Sequence, residues 1–189
     1  MIDKELIREA LEIINKIEDA GYEAYVVGGS LRDSLLDMQP KDIDIATSAL
    51  PEEIKRIFED YKTIDTGIEF GTVTLIYKRS PIEITTFRSE TAYTDSRRPD
   101  KVQFETSINE DLKRRDFTIN AMAYSEKTNL IDLFSGKEDL KTKLIRCVGN
   151  PDERFTEDAL RMLRAVRFAC VLNFDIEEET AQAICKLLK

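Results

Sequence analysis

The segment PKDIDIAT, residues 40–47, places two acidic residues inside a stretch that otherwise has the pattern of a buried β-strand. Asp42 and Asp44 alternate with Ile43 and Ile45, so the sequence predicts that both carboxylates leave the sheet on the same face. Neighbouring carboxylates repel each other and lose hydration on burial, which is unfavourable without a compensating cation. For an isolated Asp-x-Asp pair, a solvated strand face is the ordinary alternative.

A strand–glycine–helix passage precedes this acidic strand. Residues 22–27 (YEAYVV) predict a strand, Gly28 and Gly29 interrupt it, and residues 30–38 predict a short helix whose first residue lies near the N-cap. Glycines at such a point let a phosphate approach the backbone, and the helix N-terminus offers N–H groups. Arg32 would add a forked contact to phosphate. Alone this segment is an ordinary turn, but followed by the acidic strand it indicates a phosphate site. There the two aspartates could hold two hard divalent cations such as Mg²⁺ about 4 Å apart, the spacing used for in-line phosphoryl transfer.

The remaining chain has the pattern of a mixed α/β region followed by helices. We predict an amphipathic helix that ends at Gly21, a helix over 51–58, a hairpin of strands 71–77 and 81–87, a polar loop over 89–110, a strand near 130–133, and helices over 136–142, 156–171 and 177–188. The chain ends within a helical pattern that has no C-cap. We therefore expect the natural protein to continue beyond residue 189.

Composition excludes several classes of function. The 189 residues carry a formal net charge of −9, which argues against a surface that binds nucleic acid everywhere. The absence of histidine excludes histidine acid–base catalysis and histidine metal ligands. No stretch approaches the ~20 apolar residues of a membrane span. Three cysteines without a disulfide framework predict free thiols, buried at Cys170 and Cys185, and a reducing cytoplasm.

Two further segments place charges where a structural role competes with a functional one. Glu83 is an acid on an apolar strand, and an exposed strand position explains it equally well. Arg114 and Arg115, in the segment KRRDFTINAMA (113–123), would repel each other at a helix start unless an anion or an acid lies nearby. Pairing with Glu110 and Asp111 is the structural alternative for both arginines.

The segment EDALRMLRAVRFA (157–169) is the last such case. On an ideal helix Asp158, Arg161 and Arg164 span one broad face, whereas Arg167 lies on the far side from Asp158. A salt-bridged surface helix is the ordinary interpretation of this pattern.

Together, GGSLRDSLLDMQPKDIDIAT, KRRDFTINAMA and EDALRMLRAVRFA resemble the motifs of polymerase-β-like nucleotidyltransferases of the class II CCA-adding enzyme and bacterial poly(A) polymerase family. The resemblance covers nearly the whole chain. It implies an α/β (α+β) fold, with a nucleotidyltransferase head built on a small mixed sheet over residues 1–148 and the start of an all-helical neck over residues 149–189. One departure lies in LIDLFSGKEDL, where Leu133 and Ser135 replace the proline and first glycine of the family's DPFGG.

The resemblance also implies roles for individual residues. Asp42 and Asp44 would bind catalytic Mg²⁺, and Glu83 would complete the acidic cluster. Contacts to the incoming nucleotide would come from Gly28, Gly29, Arg32 and Arg115, and Asp116 would recognise the ribose 2′-hydroxyl. Asp158 and Arg161 would pair with the edge of the base, while Arg164 and Arg167 would contact the phosphates or the tRNA end.

The implied function is addition of CCA, or of its terminal A, to the 3′ end of tRNA from CTP and ATP without a nucleic-acid template. The loop DSRRPDK (95–101) favours an enzyme that adds the terminal A. Two alternatives stay open: a poly(A) polymerase of the same family, and a catalytically silent module that binds nucleotide or RNA. Nucleotide transfer to a small molecule lacks support from the segment 157–167, and the oligomeric state is left open.

Overall fold

The computed structural model of the protein describes residues 4–91 and 101–188. In chain order these residues form the helices α1 (Lys4–Asp19), α2 (Gly28–Leu35), α3 (Pro51–Ile57), α4 (Ile108–Lys113), α5 (Gly136–Thr142), α6 (Pro151–Glu157), α7 (Leu160–Leu172) and α8 (Glu178–Leu187). The strands are β1 (Ala24–Val27), β2 (Asp44–Thr47), β3 (Lys62–Gly67), β4 (Thr72–Tyr77), β5 (Ser80–Thr86), β6 (Arg88–Thr91), β7 (Lys101–Phe104), β8 (Met122–Ser125), β9 (Asn129–Asp132), β10 (Leu144–Ile145) and β11 (Asp175–Ile176). Two short 3₁₀ helices cover Ile68–Phe70 and Thr118–Asn120.

Seven of these strands form one mixed sheet in the order β3-β4-β5-β2-β1-β8-β9. Strands β2 and β5 pair in parallel, and the other neighbours in this sheet pair antiparallel. Strand β6 pairs antiparallel with β7, and β10 pairs in parallel with β11. The prediction of a mixed α/β fold around a mixed sheet is confirmed.

The central strands are buried on both faces. Val26 and Ile45 belong to the main apolar core, which also contains residues of α1 and α3. Tyr25 and Ala46 belong to a second apolar cluster that includes residues of α4. Because side chains alternate along a strand, Asp44 shares a sheet face with Ala46 and lies on the side of α4.

Helix α1 covers the main core with one apolar face, as its sequence predicts. Ala10, Ile13, Ile14 and Ile17 are all buried, at the spacing of neighbouring turns of one helix. Each large side chain of this kind stabilises the fold by about 1.5–3 kcal/mol when it is removed from water. Within residues 4–91 and 101–188, no helix combines the length and apolarity needed to cross a lipid bilayer.

The phosphate-site elements begin at different residues from those predicted. Helix α2 begins at Gly28, so Ser30 is not near the N-cap but inside the first turn, where its hydroxyl donates to the Val27 carbonyl at 2.8 Å. Strand β2 begins at Asp44. Asp42 therefore precedes the strand, and the argument from strict alternation does not extend to it.

The prediction of a polar loop over residues 89–110 is wrong for the part that the structure describes. Strands β6 and β7 pair through their backbones, and α4 follows them. Strand β6 (RSET) has no apolar alternation, and β7 (KVQF) alternates over only four residues, so the pattern is too short to predict the pairing. The loop DSRRPDK lies outside the described residues except for Lys101.

The single helix predicted over residues 156–171 is also wrong, because it is two helices separated at Asp158 and Ala159. Asp158 has an extended backbone (φ −138°, ψ 101°), and its carboxylate accepts a hydrogen bond from the Leu160 N–H at 2.9 Å. A short acidic side chain that bonds the next backbone N–H groups competes with continued helix. The predicted burial of Cys170 and Cys185 is likewise wrong, since both thiols are exposed and free.

Candidate functional site

An arginine-rich cavity of about 510 Å³ lies between α2, the start of β2, the end of α4 and α7. It is lined by Gly28, Gly29, Arg32, Asp44, Arg88, Arg114, Arg115, Asp116, Asn120, Asp158, Arg161, Arg164 and Phe168. Six arginines thus face three aspartates across one space. Such a surplus of positive charge favours an anion that carries several negative charges.

Gly28 keeps one wall of this cavity open. Its φ of +65° is the left-handed region, which side chains rarely adopt. A Cβ at this position would stand 3.3 Å from Arg115 Nη1 and 3.4 Å from Asp44 Oδ2. The left-handed backbone therefore favours glycine, and a side chain here would also crowd Arg115 and contact Asp44.

Arg32 lies one turn into α2, is 9% exposed, and is held by three partners. Its Nε and Nη2 donate to Asp33 Oδ1 at 2.8 and 2.6 Å, and its Nη1 donates to Asn120 Oδ1 at 2.8 Å. The guanidinium also lies over the Phe168 ring, 5.1 Å from its centroid. These contacts fix the arginine before any ligand binds.

Asp44 is the carboxylate that enters the cavity from β2. Parallel pairing places it directly beside Glu83 of β5, which is exposed. Burial raises the pKa of the Asp44 carboxyl, and the charges of Glu83 and Asp42 raise it further, although Arg115 and Arg32 act in the opposite direction. Glu83 and Asp42 therefore destabilise the charged form of Asp44, which is the electrostatic condition that a bound cation relieves.

The end of α4 carries a second concentration of charge. Asp111 is 1% exposed and accepts hydrogen bonds from Arg114 through Oδ1 and from Arg115 through Oδ2. The two arginines stand at the end of α4 and not at a helix start as predicted, where their charge suits the helix dipole. The predicted pairing with Asp111 is present for both of them, and Glu110 pairs with Lys113 instead.

Asp116 is held by groups from three directions. Its Oδ1 accepts the Phe117 N–H at 2.8 Å and Asn120 Nδ2 at 3.2 Å. Its Oδ2 accepts Arg164 Nε from α7 at 2.7 Å. Arg164 also lies over the Phe168 ring at 5.1 Å, so the ring touches both Arg164 and the guanidinium from α2.

Arg161 is almost completely buried at the start of α7, with 6% exposure. Its Nη1 donates to Glu157 Oε2 at 3.0 Å and to the Arg154 carbonyl at 3.3 Å, while Nη2 donates to the Arg114 carbonyl at 3.2 Å. Its Nε lies 4.0 Å from Asp158 Oδ2. Asp158 and Arg161 thus line one wall of the cavity although the helix is interrupted between α6 and α7.

Most of the residues predicted from the motifs meet in this cavity, and three do not line it. Those that line it are Gly28, Gly29, Arg32, Asp44, Arg115, Asp116, Asp158, Arg161 and Arg164. Glu83 lies beside Asp44, on the neighbouring strand β5. Asp42 is exposed and lines a neighbouring groove with Lys41 and Glu9. Arg167 is exposed on α7 and remains a prediction.

Sequence reasoning missed three residues that line the cavity, Arg88, Asn120 and Phe168. It named Asp111 only as a structural alternative, and the structure places this carboxylate between two cavity arginines. Phe168 carries a weak signal, because it stands four residues after Arg164 and thus one helical turn away on α7. Asn120 lies in a 3₁₀ helix, and no α-helical spacing points to it. Nothing in the sequence marks Arg88. In the described part of the chain, no group of three or more Cys, Asp or Glu is placed to hold a metal ion.

Comparison with known families gives this cavity a context. The model of the poly A polymerase head domain matches residues 24–146, which span β1 to the segment that follows α5. The matched range includes the cavity residues from Gly28 to Asn120. The chain belongs to this head-domain family. Its curated relatives include the CCA-adding enzyme of Ligilactobacillus salivarius, 59% identical over 95% of this chain and 44% of that enzyme. The CCA-adding enzyme of Streptococcus gordonii is 55% identical over 94% of this chain and 44% of that enzyme.

Solved structures of the family have the same fold. The Bacillus stearothermophilus CCA-adding enzyme in complex with CTP matches with a TM-score of 0.86 and 47% identity, over 95% of this chain and 43% of that one. A tRNA nucleotidyltransferase complexed with a primer tRNA and an incoming ATP analogue matches with a TM-score of 0.76 and 34% identity, over 93% of this chain and 49% of that one. The chain spans less than half the length of the curated relatives it matches.

Proposed function

We propose that this chain is the catalytic head of a tRNA nucleotidyltransferase that adds CCA, or its terminal A, to the 3′ end of tRNA from CTP and ATP without a nucleic-acid template. One observation carries the proposal: six arginines and two glycines surround the Asp44 carboxylate in a single cavity. A nucleoside triphosphate is an anion of the charge and size that this surplus favours. The names of relatives at 55–59% identity support CCA addition within this class.

In the proposed reaction the 3′-hydroxyl of the tRNA attacks the α-phosphorus of the nucleotide. A new bond forms between the 3′ oxygen and the α-phosphorus, and the hydroxyl proton passes to solvent. The bond from the α-phosphorus to the oxygen that bridges the α- and β-phosphates breaks, and pyrophosphate leaves. Arg32 and Arg115 hold the triphosphate, and Gly28 and Gly29 let it approach the backbone of α2. Asp116 accepts the ribose 2′-hydroxyl.

We further propose that the base is read by side chains of the α6–α7 segment. Asp158 accepts, and Arg161 donates, hydrogen bonds along the edge of the base, so choice between nucleotides needs no nucleic-acid template. Arg164 and Arg167 are assigned to the phosphates or to the tRNA end. For Arg164 the contact with Asp116 supports a place next to the ribose and phosphates.

The carboxylates at the start of β2 fit Mg²⁺ as the cofactor. Asp42 and Asp44 would hold it, with Glu83 beside them, and the raised pKa of Asp44 supports this assignment because a divalent cation would offset the crowded negative charge. When bound, the ion supplies charge neutralisation at the phosphates and activation of the attacking hydroxyl. The chain itself contributes no histidine to act as a base.

Residues 1–148 are proposed as the catalytic head and residues 149–189 as the start of a helical neck. Helices α6, α7 and α8 follow the last long strand, which supports a change of architecture near this boundary. A cytoplasmic location is part of the proposal, since the three thiols are free.

A chimera tests the function. In the chimera, this chain replaces the matching 44% of the Ligilactobacillus salivarius CCA-adding enzyme. The chimera is incubated with tRNA that lacks CCA, with tRNA that ends in CC, or with complete tRNA, and each labelled nucleoside triphosphate is supplied separately. We expect cytidine on the first tRNA, one adenosine on the second, and nothing on the third. An Asp44→Asn chimera is the inactive control. Long adenosine tails would favour a poly(A) polymerase, and absence of incorporation with retained nucleotide binding would favour a silent module.

A further inference from the structure

Asp111 lies beneath the cavity and contacts three of its arginines. Its Oδ1 accepts the backbone N–H of Arg88 at 3.3 Å and the Nε and Nη2 of Arg114 at 3.0 and 2.8 Å. Its Oδ2 accepts the Nε and Nη2 of Arg115 at 3.2 and 2.8 Å. One buried carboxylate thus joins the start of β6 to the two arginines at the end of α4.

We infer that Asp111 is a positioning residue that orders the guanidinium groups of Arg114 and Arg115, and holds the backbone of Arg88 beside them, for a bound triphosphate. The inference rests on the proposed nucleotide site and assigns a residue that does not itself line the cavity. The side-on contact uses Nε and Nη2 of each α4 arginine. It leaves Nη1 of Arg115 on the cavity side, 3.3 Å from the point where a Cβ on Gly28 would stand.

Ordering is needed because the arginines are consecutive, long and alike in charge. Arg114 and Arg115 follow Asp111 by three and four residues, so both reach the same carboxylate from neighbouring positions of the helix end. Without that carboxylate the two guanidinium groups would repel each other and occupy several rotamers. A ligand would then bear the cost of ordering them at the moment of binding.

The carboxylate is anionic under all ordinary conditions, which suits a permanent structural counter-ion. Burial by itself raises the pKa of Asp111, but the charges of Arg115 and Arg114 and their hydrogen bonds outweigh burial and lower the pKa to about 2. The residue therefore neither gives nor takes a proton near neutral pH, and a proton-transfer role is excluded.

A positioning role and simple electrostatics predict opposite changes in anion affinity when Asp111 is replaced, so the affinity of the variant distinguishes them. Asp111→Asn removes a negative charge beside an anion site, so electrostatics alone predicts tighter binding of a polyphosphate. Positioning predicts weaker binding, because the arginines lose their shared acceptor. The dissociation constants of inorganic tripolyphosphate and of ATP are measured by calorimetry on the 189-residue chain and its variants.

Two variants serve as matched controls. Glu110→Gln removes a charge from the neighbouring residue, which pairs with Lys113 at 2.7 Å and does not line the cavity. Asp139→Asn disturbs another buried aspartate, 5% exposed, which accepts from Thr118 and Arg146 away from the cavity. The second control separates a loss of stability, read from thermal unfolding, from a loss of anion affinity.

We expect Asp111→Asn to weaken both ligands by about tenfold or more, the scale of a lost charge-assisted contact, while both controls bind as the unmodified chain does. Equal or tighter binding by folded Asp111→Asn would overturn the inference. If the unmodified chain binds neither ligand, it is the proposed function that fails.

A measurement on the unmodified chain covers the case in which Asp111→Asn does not fold. The Nε–H groups of Arg114 and Arg115 are followed by ¹⁵N NMR without ligand. We expect slow exchange with water for both, because each donates to a buried carboxylate. Rapid exchange of both groups before tripolyphosphate is added, and slow exchange only afterwards, would overturn the inference.

Discussion

The Asp116 carboxylate and the Arg164 guanidinium form an ion pair across the cavity, with Oδ2 and Nε 2.7 Å apart. This pair connects the segment after α4 with α7. Oδ1 already accepts two hydrogen bonds, from Phe117 and Asn120, and Oδ2 accepts one. Since a carboxylate offers about four lone-pair directions, one acceptor position remains, on Oδ2. That position suits a single hydroxyl group.

Asp116→Ala should therefore relax the choice of sugar. If the remaining acceptor position binds the ribose 2′-hydroxyl, removal of the carboxylate lowers the affinity for ATP by roughly tenfold or more and leaves the affinity for dATP nearly unchanged. Dissociation constants of ATP and dATP on the chain measure this ratio. Arg164→Met is the control, because it removes the ion pair and keeps the carboxylate. An unchanged ATP/dATP ratio in Asp116→Ala would remove Asp116 from the ribose role.

Asp44→Asn should stabilise the chain at pH 7. The pKa of Asp44 is raised in the folded state above its ordinary 3.8, so its ionised form is less favourable folded than unfolded. This destabilisation is fully present above the folded pKa and absent below 3.8, where both states are protonated. Thermal unfolding from pH 8 to pH 3.5 should show a gain that disappears on acidification. Glu59→Gln, at an exposed site, should show none.

The same variant tests the cation assignment without an activity measurement. Mg²⁺ should raise the unfolding temperature of the unmodified chain more than sodium chloride of equal ionic strength does, since a ligand of the folded state stabilises it. Asp44→Asn should lose most of this increment. An equal response in both proteins would separate Asp44 from Mg²⁺.

The sequence was most informative where apolar periodicity and glycine fix the backbone. Helix α1, the β4–β5 hairpin and the Gly28 turn all follow from local patterns that burial reinforces. Strands β6 and β7 are only four residues each and β6 is entirely polar, so their pairing has too short a pattern to be predicted. The end of α6 was missed because the Asp158 carboxylate accepts the backbone N–H of Leu160 at the start of α7. This contact depends on the path of the chain between the two helices.

The candidate site shows the same division. The motifs predicted nine of the residues that line the cavity, because each of these residues belongs to a short segment of fixed spacing. Asn120 and Phe168 act by linking segments that are distant in sequence, as in the contact of 2.8 Å between Arg32 Nη1 and Asn120 Oδ1. Such long-range contacts are set by packing, so the local sequence does not identify the partner.

Ser135→Gly should stabilise the protein. Ser135 precedes α5 with φ 59° and ψ 32°, a left-handed conformation in which a side chain costs about 1–2 kcal/mol. Glycine avoids that cost but loses about 0.5–1 kcal/mol through its freer unfolded state, so a net gain of about 0.5–1 kcal/mol is expected. Chemical denaturation measures it. Lys141→Gly, inside α5, is the control and should destabilise by a similar amount. A loss of stability in Ser135→Gly would contradict the strain assigned to this turn.

The last prediction concerns Asp158 and Arg161, which we propose read the base, and it starts from the hydrogen-bond donors of Arg161 that have no acceptor among the described residues. Of its five N–H groups, both on Nη1 are engaged by Glu157 and the Arg154 carbonyl, and one on Nη2 by the Arg114 carbonyl. The Nε–H and one Nη2–H remain as neighbouring donors. Two neighbouring donors match two neighbouring acceptors, such as O2 and N3 of cytosine.

Arg161→Ala and Asp158→Ala should therefore weaken CTP and ATP more than UTP and GTP. The triphosphate contacts give every nucleotide the same affinity, whereas the edge contacts give the difference, at about 1–3 kcal/mol for each buried group left unpaired. That range is roughly a tenfold to hundredfold loss of discrimination. Dissociation constants of all four nucleotides on the chain measure it.

Arg154→Ala is the matched control, since Arg154 also donates to backbone carbonyls, of Val148 and Lys113, yet does not line the cavity. It should lower stability and leave selectivity intact. If Arg161→Ala and Asp158→Ala reduce all four affinities by one common factor, as a weakened fold would, α7 is a salt-bridged structural helix and the base is read elsewhere.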